Sequence, residues 1–212
     1  NYTQSIFVNF ILFLIIFMDV RRKKAFFGCI TSDISYKIAL HLLSKGWDVE
    51  GTYRVKNRKT TYLTKNKVQL YKLDFSNKND FEEIRKNSKI SEGWDFMMIS
   101  PSTFGSIGRF DKTRWDLWEN SFLLNSISIF KLIHILLTRR NNESKSTLWL
   151  WSGPGTNNAP KEISALITAK IAQIKFIEII NEEFDNLIPI IVGPGWVKTK
   201  AHEEIIKKGP EA

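Results

Sequence analysis

Short apolar runs alternate with segments of helical period along most of the chain. The runs are mostly apolar on consecutive positions, as a strand covered on both faces requires. The strand candidates are Ala25–Cys29, Asp48–Tyr53, Val68–Leu73, Asp95–Ser100, Thr147–Trp151 and Ile188–Val192. The helix candidates are Ser35–Lys45, Asn79–Lys89, Thr113–Arg139, Glu162–Phe184 and Ala201–Lys208. The alternation predicts an α/β protein with a Rossmann-type, doubly wound parallel sheet in three layers.

Length and composition limit the class of protein. The 212 residues are 43% hydrophobic and 25% charged, which suits one folded domain and excludes collagen, low-complexity disorder and a polytopic membrane protein. The single cysteine, Cys29, excludes an internal disulfide framework and a cysteine-cluster metal site. The three histidines have no partners at metal-ligand spacing, so no metal site is predicted. A reducing, cytoplasmic location is the simplest expectation.

The positive charge does not indicate a nucleic-acid partner. The formal net charge is +9, but the lysines and arginines are scattered and mixed with acidic residues and asparagine. No stretch combines a basic stripe with the aromatic spacing of an RNA-binding sheet or with a zinc-finger pattern. We therefore predict that most of the charge lies on solvated surface.

The first twenty residues form a separate apolar segment, and residues 21–212 form the predicted domain. The apolar run precedes the basic cluster Arg21–Lys24, the reverse of a signal peptide, and it is short for a membrane-spanning helix. Three interpretations remain. Met18 is the true start, or Ile6–Met18 is a short membrane anchor, or the segment packs on the domain. We favour the first.

The C-terminal residues of the sequence bear on the extent of the predicted domain. The helical pattern of Ala201–Lys208 runs almost to Ala212, and no closing strand follows it. We therefore expect the domain to continue beyond this sequence.

The turn after the first strand is the predicted cofactor site, because doubly wound sheets bind ligands beyond the carboxyl ends of their strands. Gly28, Thr31, Ser32 and Ile34 are the candidate contacts there. With only one glycine, the turn is a weak match to a dinucleotide fingerprint. Its serines, with Asp33, are equally typical of helix N-caps.

The ends of the following strands add three candidates. The second strand does not end in an acidic residue, and Arg54 follows it. An arginine at this position suits a 2′-phosphate and favours NADP over NAD. The alternative is that Arg54 is an ordinary surface residue. Asp74 follows the third strand and could accept from an adenine amino group or cap the next helix. Ser100 ends the fourth strand and is a further candidate contact.

The stretch Gly193-Pro194-Gly195-Trp196-Val197-Lys198-Thr199, with Ser152 and Lys170 before it, resembles the short-chain dehydrogenase/reductase family from about Lys24 onward. The resemblance implies a nicotinamide cofactor, NADP or NAD. It adds four cofactor contacts in the last loop, which are Pro194, Gly195, Val197 and Thr199. The segments at residues 105–110 and 155–159 are similar to a bacterial branch found beside sugar and surface-polysaccharide genes.

The same resemblance implies catalytic roles. In the family a Tyr is the acid/base, a Lys four residues later lowers its pKa and holds the nicotinamide ribose, a Ser orients the carbonyl, and an Asn supports a water-linked proton path. Ser152, Lys170 and Asn125 match, but Leu166 stands where the Tyr belongs. Water or Thr168 could replace the phenol poorly.

Two functions follow from the missing phenol. One is an NAD(P)-dependent oxidoreductase with impaired catalysis on a carbonyl or alcohol, for which the resemblance to the bacterial branch suggests a sugar-related substrate. The other is an inactive protein of the same fold that binds a nucleotide or a partner subunit. The resemblance further implies a homodimer or homotetramer built through the helices Thr113–Arg139 and Glu162–Phe184.

Overall fold

The computed structural model describes residues 21–105, 107–153, 155 and 157–193. Six strands form one parallel sheet in the order β3-β2-β1-β4-β5-β6. They are β1 Lys24–Gly28, β2 Asp48–Tyr53, β3 Gln69–Lys72, β4 Phe96–Ile99, β5 Ser146–Trp151 and β6 Leu187–Val192. The predicted strands agree with these within one residue. The N-terminal apolar segment and the predicted helix Ala201–Lys208 lie outside the described residues.

The helices connect successive strands. They are α1 Asp33–Ser44, α2 Arg58–Lys65, α3 Lys78–Lys86, α4 Trp115–Phe122, α5 Ser128–Leu136 and α6 Ser164–Glu183. Helix α2 was not predicted. It begins at a capping box, in which the Asn57 side chain accepts from the Thr60 amide while the Thr60 hydroxyl accepts from the Asn57 amide.

The predicted helix Thr113–Arg139 is a helical stretch from Trp115 to Arg139 in the structure, but a π-helical turn, Leu123–Ile127, separates α4 from α5. The whole helical stretch Trp115–Arg139 is long and apolar enough to cross a membrane by length and composition alone. In this fold it is a core helix in its second half, since Leu132, Ile133 and Leu136 are each at most 1% exposed.

The sheet is covered by apolar clusters on both faces. Phe26 and Phe27 are adjacent on β1 and fully buried, yet they belong to different clusters, as the alternation of strand side chains requires. Helices α3, α5 and α6 contribute to the first cluster, and α1 and α2 to the second. The predicted fold class, a doubly wound parallel sheet between helical layers, is confirmed.

Connections leave the sheet in opposite directions at its centre. Strands β1 and β4 are paired, with Gly28 opposite Ile99, although the chain reaches β2 and β3 on one side of β1 before it returns to β4 on the other. This is the topological switch point of the fold, and the crevice beyond its carboxyl ends is where such sheets bind ligands. We call this side of the sheet the carboxyl edge.

The opposite edge is held by a buried carboxylate. Asp95 is 8% exposed and accepts hydrogen bonds from Arg21 Nη2 at 2.7 Å, from the Lys24 amide at 2.8 Å and from Asn141 Nδ2 at 2.7 Å. These contacts join the start of β1 to the start of β4 and to the loop before β5.

Candidate functional site

The loop after β1 is pinned onto β2. The amides of Cys29 and Ile30 donate to the Thr52 hydroxyl and the Thr52 carbonyl, both at 2.9 Å. A Cβ on Gly51 would lie 2.8 Å from the Ile30 Cβ, so the loop can approach this closely only because residue 51 is glycine. Cys29 has a φ of 73°, a left-handed conformation that is uncommon outside glycine. The path of the loop is therefore tightly defined, and it directs the start of α1 to the carboxyl edge.

Gly28 is required by the packing of the core. A Cβ there would lie 3.0 Å from Ile99 Cγ2 and 3.2 Å from Leu132 Cδ2. This close contact among β1, β4 and α5 explains a glycine at the strand end even without a ligand.

Three serine hydroxyls meet at the switch point. Ser100 Oγ lies 3.0 Å from Ser32 Oγ and 2.5 Å from Ser35 Oγ, and Ser32 accepts from the Ser35 amide as the N-cap of α1. We call Ser32, Ser35 and Ser100 the hydroxyl cluster. Ser32 and Ser100 were predicted cofactor contacts. Ser35, which is fully buried, was predicted only as a possible helix cap. Its place in the cluster depends on its contact with Ser100, which is 65 residues later in the sequence.

Lys59 fixes the same loop from α2 and was missed by the sequence analysis. Its Nζ donates to the Thr31 carbonyl at 2.9 Å and to Asp33 Oδ1 at 2.8 Å, and it lies 5.1 Å from the centre of the Tyr36 ring. The predicted contact Thr31 is thereby held through its backbone. Ile34 is half-buried in the first turn of α1.

Positive charge borders the loop. Arg54 is exposed at the end of β2. Burial raises the pKa of the Cys29 thiol, and the positive charges of Arg54 and Lys59 oppose this rise without cancelling it. Arg54 also lies near enough to Asp74 to help lower the pKa of its carboxyl.

Asp74 does not cap the helix after β3. Hydrogen bonds from the Ser76 hydroxyl at 2.6 Å and the Ser76 amide at 2.9 Å are the main cause of the lowered pKa of Asp74. Asn77 caps α3 instead, so the interpretation of Asp74 as an N-cap was wrong. The carboxylate remains ionised at the carboxyl edge.

Lys170 and Ser152 come together at the end of β5. Lys170 is 4% exposed, and its Nζ donates to the Trp151 carbonyl at 2.8 Å, one residue before Ser152. Burial lowers the pKa of Lys170 to about 8. The Ser152 amide donates to the Val192 carbonyl at 3.0 Å, which places the serine between β5 and β6.

Leu166 lies one helical turn before Lys170 and is 2% exposed. Its side chain has no group that exchanges a proton. Thr168 is exposed on α6, where its hydroxyl donates to the Ser164 carbonyl at 2.8 Å. Because Lys170 is buried and Thr168 is two residues away, the threonine faces another direction and is a poor substitute for a phenol.

Asn125 is fully buried in the π turn and is occupied by protein contacts. Its Nδ2 donates to the Thr103 carbonyl at 2.7 Å and its Oδ1 accepts from the Thr103 amide at 3.1 Å. The carbonyl of Asn125 accepts a short hydrogen bond from Gln173 on α6. Gln173, another residue that the sequence did not reveal, thus links the helix of Lys170 to the π turn.

The carboxyl edge therefore gathers most of the predicted residues into two groups. Around the loop after β1 lie Gly28, Thr31, Ser32, Ile34, Arg54, Asp74 and Ser100, and around the end of β5 lie Ser152 and Lys170. Asn125 is joined instead to the loop after β4 and to α6. The predicted contacts Pro194, Gly195, Val197 and Thr199 lie outside the described residues. No group of three or more acidic, cysteine or histidine side chains that could hold a metal ion occurs within the described ranges.

The residues of the first group fit a phosphate-bearing nucleotide. The twelve-residue α1 begins at the switch point, so its first amides and its dipole favour an anion there. The hydroxyl cluster supplies donors, and the cations of Arg54 and Lys59 lie beside the loop. The single acidic residue of the first turn, Asp33, is ion-paired with Lys59.

Comparison with known proteins supports the same fold. No family model and no curated protein matches the chain. A short-chain dehydrogenase from Salmonella enterica is 18% identical, with a TM-score of 0.79 over 91% of this chain and 84% of that one. A putative short-chain dehydrogenase from Shigella flexneri, complexed with NADP, is 14% identical, with a TM-score of 0.79 over 89% and 84%.

A third similar structure is a putative short-chain dehydrogenase/reductase from Burkholderia multivorans with bound NADP. It is 16% identical, with a TM-score of 0.75 over 90% of this chain and 84% of that one. Identities this low establish architecture rather than activity. The chain has the fold of the short-chain dehydrogenases/reductases.

Proposed function

We propose that this chain is an NAD(P)-dependent oxidoreductase of the short-chain type whose catalysis on a carbonyl or alcohol is impaired by Leu166. The observation that supports it best is the arrangement at the carboxyl edge. A phosphate-compatible loop lies at the switch point, and a buried lysine lies at the end of β5 in the same crevice. Two of the similar structures hold NADP, which favours a nicotinamide nucleotide as the ligand.

The loop after β1 and the hydroxyl cluster would hold the pyrophosphate. Arg54 would pair with a 2′-phosphate, which makes NADP the preferred cofactor, and Asp74 would accept from the adenine amino group. Lys170 would contact the nicotinamide ribose, and Ser152 would orient the substrate carbonyl. The bound cofactor supplies hydride chemistry, whereas the protein supplies position and charge.

Leu166 removes the group that would donate a proton to the product alkoxide. Positioned acid–base groups commonly contribute a factor on the order of 10² to 10⁴ in rate, so turnover falls without being abolished. A second candidate is a nucleotide-binding protein without catalysis. The contacts of Asn125 favour it, because its amide is satisfied by Thr103 and its carbonyl by Gln173.

Titration of the purified chain with NADPH and with NADH, followed by nicotinamide fluorescence and calorimetry, tests the shared part of both candidates. We expect saturable NADPH binding that is tighter than NADH binding. Absence of binding at millimolar cofactor would refute both.

A pair of variants at residue 166 separates the two candidates. Leu166→Tyr adds a ring and a hydroxyl, whereas the control Leu166→Phe adds only the ring, so both bear the same packing cost of about 1–3 kcal/mol. Both are assayed for NADPH-dependent reduction of one carbonyl panel after NADPH binding is confirmed. Faster reduction by Leu166→Tyr than by Leu166→Phe favours the impaired enzyme. Equal and negligible rates favour the binding protein.

We further propose a homodimer built through α5 and α6. Phe130 and Phe176 stack at 4.3 Å in the wall of an apolar groove of about 550 Å³ between these helices. Ile127, which is 49% exposed, also lines the groove, and Ile179, equally exposed, precedes the lining residue Ile180 on α6. Ile179→Asp should convert the dimer to a monomer in sedimentation experiments. Tyr62→Asp, on α2 in the opposite layer, is the control, and a monomeric wild type would contradict the proposal.

A further inference from the structure

A cleft of about 530 Å³ lies at the amino edge, the side of the sheet where the strands begin, opposite the carboxyl edge. Its walls come from the start of β1, from the loop between α3 and β4, and from residues 138–143 before β5. The charged residues that line it are Arg21, Lys24, Glu92, Arg139, Arg140 and Glu143. Because four cations line the cleft with two carboxylates, it favours an anion. Arg21 is ion-paired with Asp95 at 2.7 Å.

The other three cations form no ion pair with the described residues. Lys24 Nζ donates to a backbone carbonyl at 2.9 Å, and Arg139 donates to four backbone carbonyls between residues 84 and 90. Arg140 Nη1 donates to the Leu137 carbonyl at 3.1 Å. A backbone carbonyl satisfies a donor but carries no net charge. The positive charge of these three side chains is therefore not neutralised by the part of the chain that the structure describes.

Arg140 also has an unused hydrogen-bonding edge. Its Nε is buried and has no hydrogen-bond partner, and its Nη2 donates to no described residue. The guanidinium carbon lies 5.3 Å from the centre of the Phe184 ring, so the group is held by ring contact on one side. Nε and Nη2 together form the edge of a guanidinium that binds two oxygens of one anion. A buried donor without an acceptor costs free energy, and a bound anion removes that cost.

We propose that the cleft at the amino edge binds a phosphate group. A phosphate presents more oxygen atoms and more charge than a carboxylate, so it can accept from the free edge of Arg140 and from the ammonium of Lys24 together. The apolar run that ends at Met18 lies close to Arg21 in the sequence. The phosphate therefore belongs either to a phospholipid headgroup or to a soluble compound. This site is separate from that of the proposed function, which lies at the carboxyl edge.

Calorimetric titration of the full chain with inorganic pyrophosphate at low ionic strength tests the proposal. We expect saturable binding that Arg140→Gln weakens by about tenfold, because the substitution removes both the charge and the paired donors. Lys24→Gln should weaken it by about threefold. Lys145→Gln removes the same charge from an exposed position before β5 that does not line the cleft, and it should change the affinity by less than about twofold.

Two further variants keep the test informative. Arg140→Lys retains the positive charge and lacks the paired donors, so its affinity should lie between those of wild type and Arg140→Gln. It replaces the glutamine variant if circular dichroism shows that the latter does not fold. Glu143→Gln removes a carboxylate from the lining and should strengthen binding by about twofold.

Pyrophosphate can also bind to the loop after β1, so Arg54→Ala is titrated in parallel. Loss of a binding component in the Arg140 variants supports the cleft, with or without a second component that Arg54→Ala removes. Binding that the Arg140 variants leave unchanged, or no saturable binding, would overturn the proposal. Arg140→Gln should bind NADPH as wild type does, so failure of the cleft and failure of the proposed function are measured separately.

Sedimentation with lipid vesicles distinguishes the two sources of phosphate. The vesicles contain phosphatidylcholine alone or phosphatidylcholine with phosphatidic acid. Sedimentation with phosphatidic acid that Arg140→Gln reduces, and that Lys145→Gln does not, assigns the cleft to a phospholipid headgroup. Equal sedimentation of the three proteins, together with pyrophosphate binding that depends on Arg140, assigns it to a soluble phosphate compound.

Discussion

Replacing Lys170 with methionine should change how stability depends on pH. Methionine keeps most of the volume of the lysine stem and removes the amine that donates a hydrogen bond to the Trp151 carbonyl. The buried amine has a pKa of about 8 in the folded protein, against 10.5 for an unburied lysine. This difference corresponds to about 3 kcal/mol, because one pKa unit is about 1.4 kcal/mol.

The sign follows from proton binding. Between pH 8 and 10.5 the unfolded chain still carries a proton on Lys170, whereas the folded chain has lost it. Unfolding therefore takes up a proton, and the free energy of unfolding rises with pH by up to about 1.4 kcal/mol per pH unit in this interval. Below pH 8 the folded protein carries a destabilising buried charge. Lys170→Met lacks this contribution.

Urea denaturation from pH 6 to pH 10 measures the effect. We expect Lys170→Met to gain stability relative to wild type at pH 6–7, less the value of the lost hydrogen bond, and to lose that advantage progressively above pH 8. Lys175→Met, at an exposed position of the same helix, should follow the wild-type pH dependence. If wild type and Lys170→Met show parallel curves over this range, Lys170 is not a desolvated amine, and the argument from its burial fails.

Three further predictions follow from other contacts. Arg54→Ala should weaken NADPH binding by a factor on the order of 10 to 100 and leave NADH binding unchanged, as measured by calorimetry with Arg22→Ala at the other edge as control. Asp95→Asn should lower the free energy of unfolding by about 1.5–3 kcal/mol, because three donors lose their charged acceptor; an unchanged denaturation midpoint would contradict this. Gly51→Ala should cost about 1–3 kcal/mol and weaken nucleotide binding, since its Cβ would lie 2.8 Å from that of Ile30.

The sheet could be predicted because its strands are buried on both faces. Such strands appear in a sequence as apolar runs, and all six were placed within one residue. Helix α2 has no comparable signal. Only Thr60 and Leu63 are buried among its eight residues, so its core-facing side is short, and the helix begins at the capping box at Asn57. A local hydrogen-bond pattern, rather than burial, determines where it begins.

The π turn could not be predicted from local sequence. Its backbone carbonyl at Asn125 accepts from Gln173, 48 residues later, and its side chain binds the backbone of Thr103, 22 residues earlier. These contacts exist only after α6 has packed on the helix. Interruptions of this kind often occur at functional sites, and this one is bonded to Gln173, three residues after Lys170 on α6.

The candidate site was predictable to the extent that topology collects strand ends. Parallel strands end at one edge, so Arg54, Asp74 and Ser100 were expected to lie near the first loop. The hydroxyl cluster and the bonds of Lys59 depend on side-chain positions across two helices, which no periodicity encodes. They were therefore found only in the structure.

Two energetically costly features lie at the carboxyl edge. A buried lysine with no counter-ion among the described residues costs free energy, and an apolar residue of similar volume would stabilise the fold. Cys29 adopts a left-handed backbone conformation that glycine would adopt at lower cost. Both positions border the crevice where doubly wound sheets bind ligands, whereas the buried carboxylate at the other edge, Asp95, is fully paired. These two costs lie where the proposed function places a nucleotide, which supports the proposal that the crevice binds a ligand.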